Sequence, residues 1–222
     1  YLSRASAFIR RVEDKARFEI MNFEKEIGDI YRLKVPLDGD VYTSVFLIRT
    51  KQGNVLVDCA TCAGDVDEYI LPALCGADLK LADIKYLVLT HKHSDHAGGA
   101  ERLSALVPTI KVVSDVREIF LNGLTVYELK GHTLDCIGIL DKRSDTLIAG
   151  DGLQGYGVGK YRCSLESKEE YIKTIDKIKK DGRIKIILFS HAYEPWYKYG
   201  AFGREEVENC LQDCIEYVSK KR

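Results

Sequence analysis

His91, His93 and His96 stand within one run of the chain, Thr90-His91-Lys92-His93-Ser94-Asp95-His96. Imidazole is the commonest protein ligand for metal ions, and Asp95 adds an anionic oxygen to the same run. His91 and His93 are two residues apart, so an extended backbone would point both rings to one side and let them grip one cation. Asp95 and His96 continue the run and can turn toward a second cation nearby. His132 and His191 complete the chain's five histidines, and Asp151 offers a carboxylate able to bridge two ions. A mixed imidazole and carboxylate set suits zinc best, with iron or manganese as alternatives. A lone histidine is usually a surface or core residue, but three with an aspartate in six consecutive positions carry ligand spacing.

Each of these residues follows a strand-like segment. Tyr86-Leu87-Val88-Leu89 precedes the run, and residues 124–129 lead through Gly131 to His132. Thr146-Leu147-Ile148-Ala149 leads through Gly150 to Asp151, and Ile186-Ile187-Leu188-Phe189-Ser190 ends at His191. Ligands placed just past the ends of strands can converge at one loop edge. Val55-Leu56-Val57 is a further short apolar strand, ending at Asp58. Period-two patterns also predict strands over residues 30–36, 41–48, 111–113 and 137–140, with a hairpin turn at 141–145. Helices are expected over 66–74 and 100–106, after Ser167 with a capping-box glutamate at Glu170, and over 205–219. Residues 1–25 read as an N-terminal helix or extension, and the glycines from Gly150 to Gly159 as a mobile loop beside the site. No linker divides the chain, so residues 1–222 are expected to form one domain of two packed sheets with helices outside.

The 222 residues can bury one sizeable core. A formal net charge of −1 argues against a nucleic-acid partner. No apolar run approaches the ~20 residues of a membrane helix, and Tyr1-Leu2-Ser3-Arg4 carries no signal-peptide pattern. Seven cysteines, an odd number, fit reduced thiols, so a cytoplasmic location is expected.

The run Thr90-His91-x-His93-x-Asp95-His96 resembles the signature of the metallo-β-lactamase superfamily. So do Asp58 after a short strand, Gly131-His132-Thr133, Gly150-Asp151 and His191, in that order, over about residues 30 to 195. The resemblance implies an α+β fold, an αββα sandwich of two mixed sheets with the site at one edge. It implies that His91, His93 and His132 hold a first metal and Asp95, His96 and His191 a second, with Asp151 bridging and Asp58 orienting the ligand loop from behind. The aspartate-rich second set is closer to the glyoxalase II and lactonase branch than to lactamases that use a cysteine there. Only about thirty residues follow His191, which leaves little room for glyoxalase II's C-terminal substrate domain. Lactonases place a tyrosine shortly after the bridging aspartate; Tyr156 is a candidate, although the intervening Gly152-Leu153-Gln154-Gly155 is not their pattern.

The activity implied is a metal-dependent hydrolase with two Zn2+ ions. A metal-bridged hydroxide would attack a small ester, thioester or lactone, and Asp95 would manage the leaving-group proton. The rivals are a mononuclear iron oxidoreductase like the persulfide dioxygenases, a phosphodiesterase or nuclease of the same superfamily, and a binding module that kept only the fold. The aromatic run from Tyr193 through Trp196 to Phe202 could wall an apolar substrate groove, with Tyr193 and Trp196 as contacts. It could equally pack on the N-terminal segment or on a second subunit of a homodimer. The Cys59/Cys62 pair could join Cys210 and Cys214 in a zinc site, although the last two also suit an apolar helix face.

Overall fold

A computed structural model describes residues 22–116, 121, 123–153, 164–195 and 197–220. The first sheet contains β1 (Glu24–Ile27), β2 (Ile30–Asp38), β3 (Val41–Ile48), β4 (Asn54–Val57), β5 (Ile84–Val88) and β6 (Lys111–Val113), in that spatial order. β1 to β4 pair antiparallel, while β4, β5 and β6 run parallel. The second sheet has the order β11-β10-β9-β8-β7, from β7 (Leu124–Glu128), β8 (Ile137–Asp141), β9 (Thr146–Gly150), β10 (Ile186–Phe189) and β11 (Gly200–Phe202). Only β9 and β10 are parallel in it.

Side-chain alternation explains why the strands read as nearly continuous apolar runs, since both faces of each sheet are covered. From β4, Val55 and Val57 point between the sheets to join Ile139, Ile148 and Leu188. Leu56 points the other way, onto Val66, Ile70 and Leu74 of the helix α1 over residues 63–76. In the second sheet Ile148 faces inward. Its neighbours Leu147 and Ala149 pack outward with Ile175 of α4 (Lys168–Asp181) and Leu211 of α5 (Arg204–Lys220). The molecule is therefore an αββα sandwich. Each buried aliphatic side chain stabilises it by about 1.5–3 kcal/mol, and a one-residue slip would expel a whole face, so register is firmly set.

The parallel strands put the chemistry at one edge. Val57 pairs with Val88 and Phe189 with Gly150, so Asp58, His91, Asp151 and His191 emerge together. The amide of Ile137, at the start of antiparallel β8, donates to the Thr90 carbonyl (2.8 Å), which brings the preceding His132 loop to the same edge.

The expected helices form at 66–74 and 100–106, the latter being α3 (Ala100–Leu106). Ser167 caps α4 by accepting the amide of Glu170. The Glu170 carboxylate pairs with Lys173 (2.6 Å), so it takes no part in the capping box expected of it. Two strands had no clear pattern. β1 claims Glu24 and Lys25 from the predicted N-terminal extension, because its partner β2 supplies the ladder; residues 1–21 lie outside the described residues. β11 takes Gly200, Ala201 and Phe202 from the aromatic run, held by β10 through pairs such as Ile187 with Ala201. The C-terminal helix is one residue longer at each end than expected. The predicted glycine-rich loop falls largely on residues 154–163, also outside the description. No helix among the described residues is long and apolar enough to cross a membrane.

Candidate metal centre

His91 leaves the end of β5 in a loop rather than an extended strand, and His93 is the N-terminal cap of a short helix, α2 (Ser94–Ala97), which carries Asp95 and His96. The two rings still converge, with His91 Nε2 2.9 Å from His93 Nδ1. His132 Nε2 comes to 3.1 Å from that same His93 nitrogen. On the other side His191 Nε2 lies 3.3 Å from His96 Nε2 and 3.3 Å from Asp95 Oδ2. Asp151 sits between the sets, its carboxylate 3.5 Å from His96 Nε2, 3.4 Å from His191 Nε2 and 3.8 Å from His132 Nε2. Three groups of donors result: His91, His93 and His132; His91, His96 and Asp151; and Asp95, His96 and His191. Within each group the ligand atoms lie within 4.8 Å of one another.

The far side of each ring decides which nitrogen faces inward. His132 Nδ1 donates to the Ser164 carbonyl (2.7 Å) and His191 Nδ1 to the Tyr42 carbonyl (2.7 Å). His96 Nδ1 donates to Asp58 Oδ2 (2.8 Å). The Thr90 hydroxyl gives its one proton to Asp58 Oδ2 (2.8 Å), so it can only accept from His91 Nδ1 (3.2 Å). Four Nε2 lone pairs are thereby turned into one small, buried space. Lone pairs facing each other at 2.9–3.3 Å repel unless a cation or protons intervene. The donor set thus fits a divalent metal, by chemistry and by tautomer.

Charge follows the same division. Burial first, then the neighbouring His96 charge, pushes His91 down to about 3, and burial likewise lowers His132. Burial opposes protonation of His191 and His96 too. For His191, Asp151 and Asp95 outweigh it and raise the ring to about 9. Asp151 and Asp58 do the same for His96, which is held well above its usual value. Burial disfavours the Asp95 and Asp151 carboxylates, yet contacts with His191 and His96 hold both well below the usual range. The side of the cavity formed by Asp95, His96, Asp151 and His191 thus favours positive charge, while His91 and His132 are kept neutral.

Asp58 is fully buried in a left-handed backbone conformation (φ 62°) and accepts from the Thr90 amide (2.7 Å), the Thr90 hydroxyl and His96. Tyr193 stacks on His191 with ring centroids 5.3 Å apart. Tyr156 and Trp196 lie outside the described residues. Cys59 belongs to the core under α1, whereas Cys210 and Cys214 are carried by α5 and packed in the other core with α4, so the pairs do not share a site. The sequence motif includes Thr90 but assigns it no role, and it does not reveal the carbonyls of Tyr42 and Ser164 that fix the rings. Thr90 had a readable signal, a hydroxyl directly before the first histidine. A carbonyl ligand has none, because every residue carries one.

The family model described as the metallo-beta-lactamase superfamily matches residues 38–118. A hydroxyacylglutathione hydrolase from Bdellovibrio bacteriovorus is 27% identical over 176 residues, covering 72% of this chain and 66% of the relative. An atrochrysone carboxyl ACP thioesterase from Aspergillus fumigatus is 24% identical over 130 residues, covering 52% of this chain and 30% of that protein. Among solved structures, a metallo-beta-lactamase from Pontibacter korlensis superposes with a TM-score of 0.66 at 18% identity, over 90% of this chain and 99% of that one. The fold, the ligand motif and these matches together support the metallo-β-lactamase superfamily. It spans about half to two thirds of the length of the first curated relatives it matches.

Proposed function

We propose that the protein is a metal-dependent hydrolase of small thioesters, esters or lactones, with His91, His93 and His132 holding one divalent ion, Asp95, His96 and His191 a second, and Asp151 reaching both. The observation that carries this reading is the tautomer set: four imidazoles with their outer nitrogens tied down and their inner lone pairs aimed into one pocket. Divalent ions there, zinc by preference, acidify water and polarise a carbonyl oxygen, the chemistry acyl hydrolysis needs.

The chain's own groups do the rest. Asp58 and Thr90 lock the rings of His96 and His91 from behind, so the donors need little rearrangement on loading. Asp95 keeps a quarter of its side chain open to solvent, so its carboxylate can pass a proton between the reacting group and bulk water. Tyr193, stacked on His191, forms an apolar wall on which an acyl chain can lie. Among the three substrate classes the thioester is favoured, because one relative named above is called a thioesterase and the other a hydrolase of hydroxyacylglutathione, an acyl group carried on a thiol. A small-molecule substrate is proposed as the partner.

Metal analysis of protein purified without added metal or chelator, followed by assays on acyl thioesters, aryl esters and lactones, tests the reading. Two zinc ions per chain and metal-dependent release of thiol are expected. One iron per chain with oxygen uptake, and no hydrolysis of any of the three, would overturn it.

A further inference from the structure

The face of β2 that looks into the sandwich begins with Ile30 in the inter-sheet core and continues with Arg32, whose side chain is fully buried. A guanidinium is not placed there without partners, since an unpaired buried charge is strongly destabilising. Its Nε reaches Glu26 of β1. Its Nη1 donates to the Ser44 hydroxyl (2.8 Å) on β3 and to the Phe189 carbonyl (2.7 Å) at the end of β10. Its Nη2 donates to the Tyr199 carbonyl (3.0 Å), just before β11. The charge also lies 4.6 Å from the ring centroid of Phe46 and 5.3 Å from that of Tyr199. One side chain thus ties both sheets together next to the ligand-bearing edge.

What it ties is specific. Ser44 passes its own proton to the Ser190 carbonyl (2.6 Å), one residue before His191. The two preceding residues of β3 complete the pattern: the Thr43 hydroxyl donates to the Asp95 carbonyl (2.9 Å), and the Tyr42 carbonyl accepts His191 Nδ1. Three consecutive residues of β3 therefore hold Asp95 and His191. None of the hydrogen bonds fixing His91 or His132 comes from β3.

We infer that Arg32, acting through Ser44 and the carbonyls of Phe189 and Tyr199, is a positioning residue that sets His191 within the Asp95, His96 and His191 donor group and leaves the His91, His93 and His132 group untouched. The inference rests on the metal-binding reading of those groups. It makes the second group the dependent one: its register comes from a buried charge joining two sheets, whereas the first depends on local loops.

The test compares wild type with Arg32→Lys and Ser44→Ala, and with Ile139→Val as a control that trims the same inter-sheet core outside the network. Zinc is titrated into stripped protein and followed by native mass spectrometry. The ring NH of His191 is followed by NMR in the metal-free state. Should Arg32→Lys fail to fold, Ser44→Ala carries the comparison. In a wild type that takes two ions, both network variants are expected to weaken one ion by tenfold or more, to leave the other within threefold and to shift the His191 resonance, with the control unchanged. Equal affinities at both sites, or equal losses at both, would overturn the inference. If the wild type takes fewer than two ions, the metal reading of the second group fails. The metal-free resonance then decides: a shift in the network variants alone supports the positioning role, and an unchanged signal overturns it.

Discussion

Asp58 Oδ2 lies 2.8 Å from His96 Nδ1, while the other oxygen of the same carboxylate takes the Thr90 amide at 2.7 Å. One buried acid therefore sets both the start of the ligand run and the direction of a ring within it. It does so from a positive-φ conformation that side chains other than glycine adopt at a cost of about 1–3 kcal/mol. Replacing Asp58 by alanine keeps that strain and strands the Thr90 and His96 donors, each at about 1–3 kcal/mol. Metal affinity should fall by about 10–100-fold, as it does when the partner behind a ligating histidine is lost. Isothermal titration with zinc and thermal melts of the stripped protein measure the two effects. Wild-type affinity in Asp58→Ala would show that the ring is oriented by something else.

Gly150 offers a backbone counterpart. It turns the end of β9 with φ +55°, and a Cβ there would sit 2.6–2.9 Å from three atoms of the Thr90 side chain. Gly150→Ala must therefore displace either Thr90, which supports His91, or Asp151, which reaches both donor groups. A loss of stability of roughly 1–3 kcal/mol is expected, with a weakening of both metal sites together. That joint effect contrasts with the one-sided loss expected for Ser44→Ala, so the two variants titrated side by side check each other. A Gly150→Ala protein with both affinities intact would mean that the turn has slack the packing does not show.

Much of this site was legible because ligand chemistry is written in residue types. His91, His93, Asp95, His96, His132, Asp151 and His191 each follow an apolar strand; parallel pairing brings the ends of β5, β9 and β10 to one edge, and the Ile137–Thr90 hydrogen bond brings the His132 loop there. Asp58 was legible for the same reason. Arg32 was not, although the clue was present: strand alternation puts it in line with Ile30, on the face that enters the core. Recognising it required partners 12 and 157 residues away, Ser44 and Phe189, which no local pattern brings together. β1 and β11 escaped for a related reason. They are short, and their pairing with β2 and β10, not their own composition, makes them strands. The tautomers that make the donor set fit a metal depend on backbone carbonyls, and these leave no trace in residue identity.

The histidines also give the stripped protein an unusual pH dependence. The folded state holds His191 up to about 9, against about 6.5 in an unfolded chain. Its stabilising contribution is thus complete below pH 6.5 and is lost as pH rises through 9. His91 behaves oppositely. Its folded value is pushed down to about 3, so its contribution is present above pH 6.5 and lost on acidification. The metal-free protein should accordingly be most stable near pH 6.5, with Tm falling by several degrees toward pH 9. Zinc-loaded protein should show the reverse slope over that range, since the ion competes with protons for the same nitrogens. Scanning calorimetry of both forms from pH 5 to 9 decides it, and parallel curves would contradict the assignment of these charges.

Tyr193 provides the test on the substrate side. Its ring stacks on His191 at an interplanar angle of 27°, so truncation removes the proposed acyl wall and uncovers one face of the proposed ligand His191. The hydrogen bond from His191 Nδ1 to Tyr42 survives that truncation and keeps the imidazole directed. Binding of an apolar acyl chain should therefore suffer more than the chemical step. For Tyr193→Ala, KM for long-chain acyl thioesters is expected to rise by about 10-fold, in line with about 1–3 kcal/mol from a lost apolar contact, while kcat changes by less than threefold. Tyr193→Phe keeps the ring and should restore KM, because the wall acts through area and not through the hydroxyl. Steady-state kinetics across acyl chains of increasing length separates the cases: a penalty that grows with chain length marks a wall. A fall in kcat alone would instead place Tyr193 behind His191, as a support for the ligand.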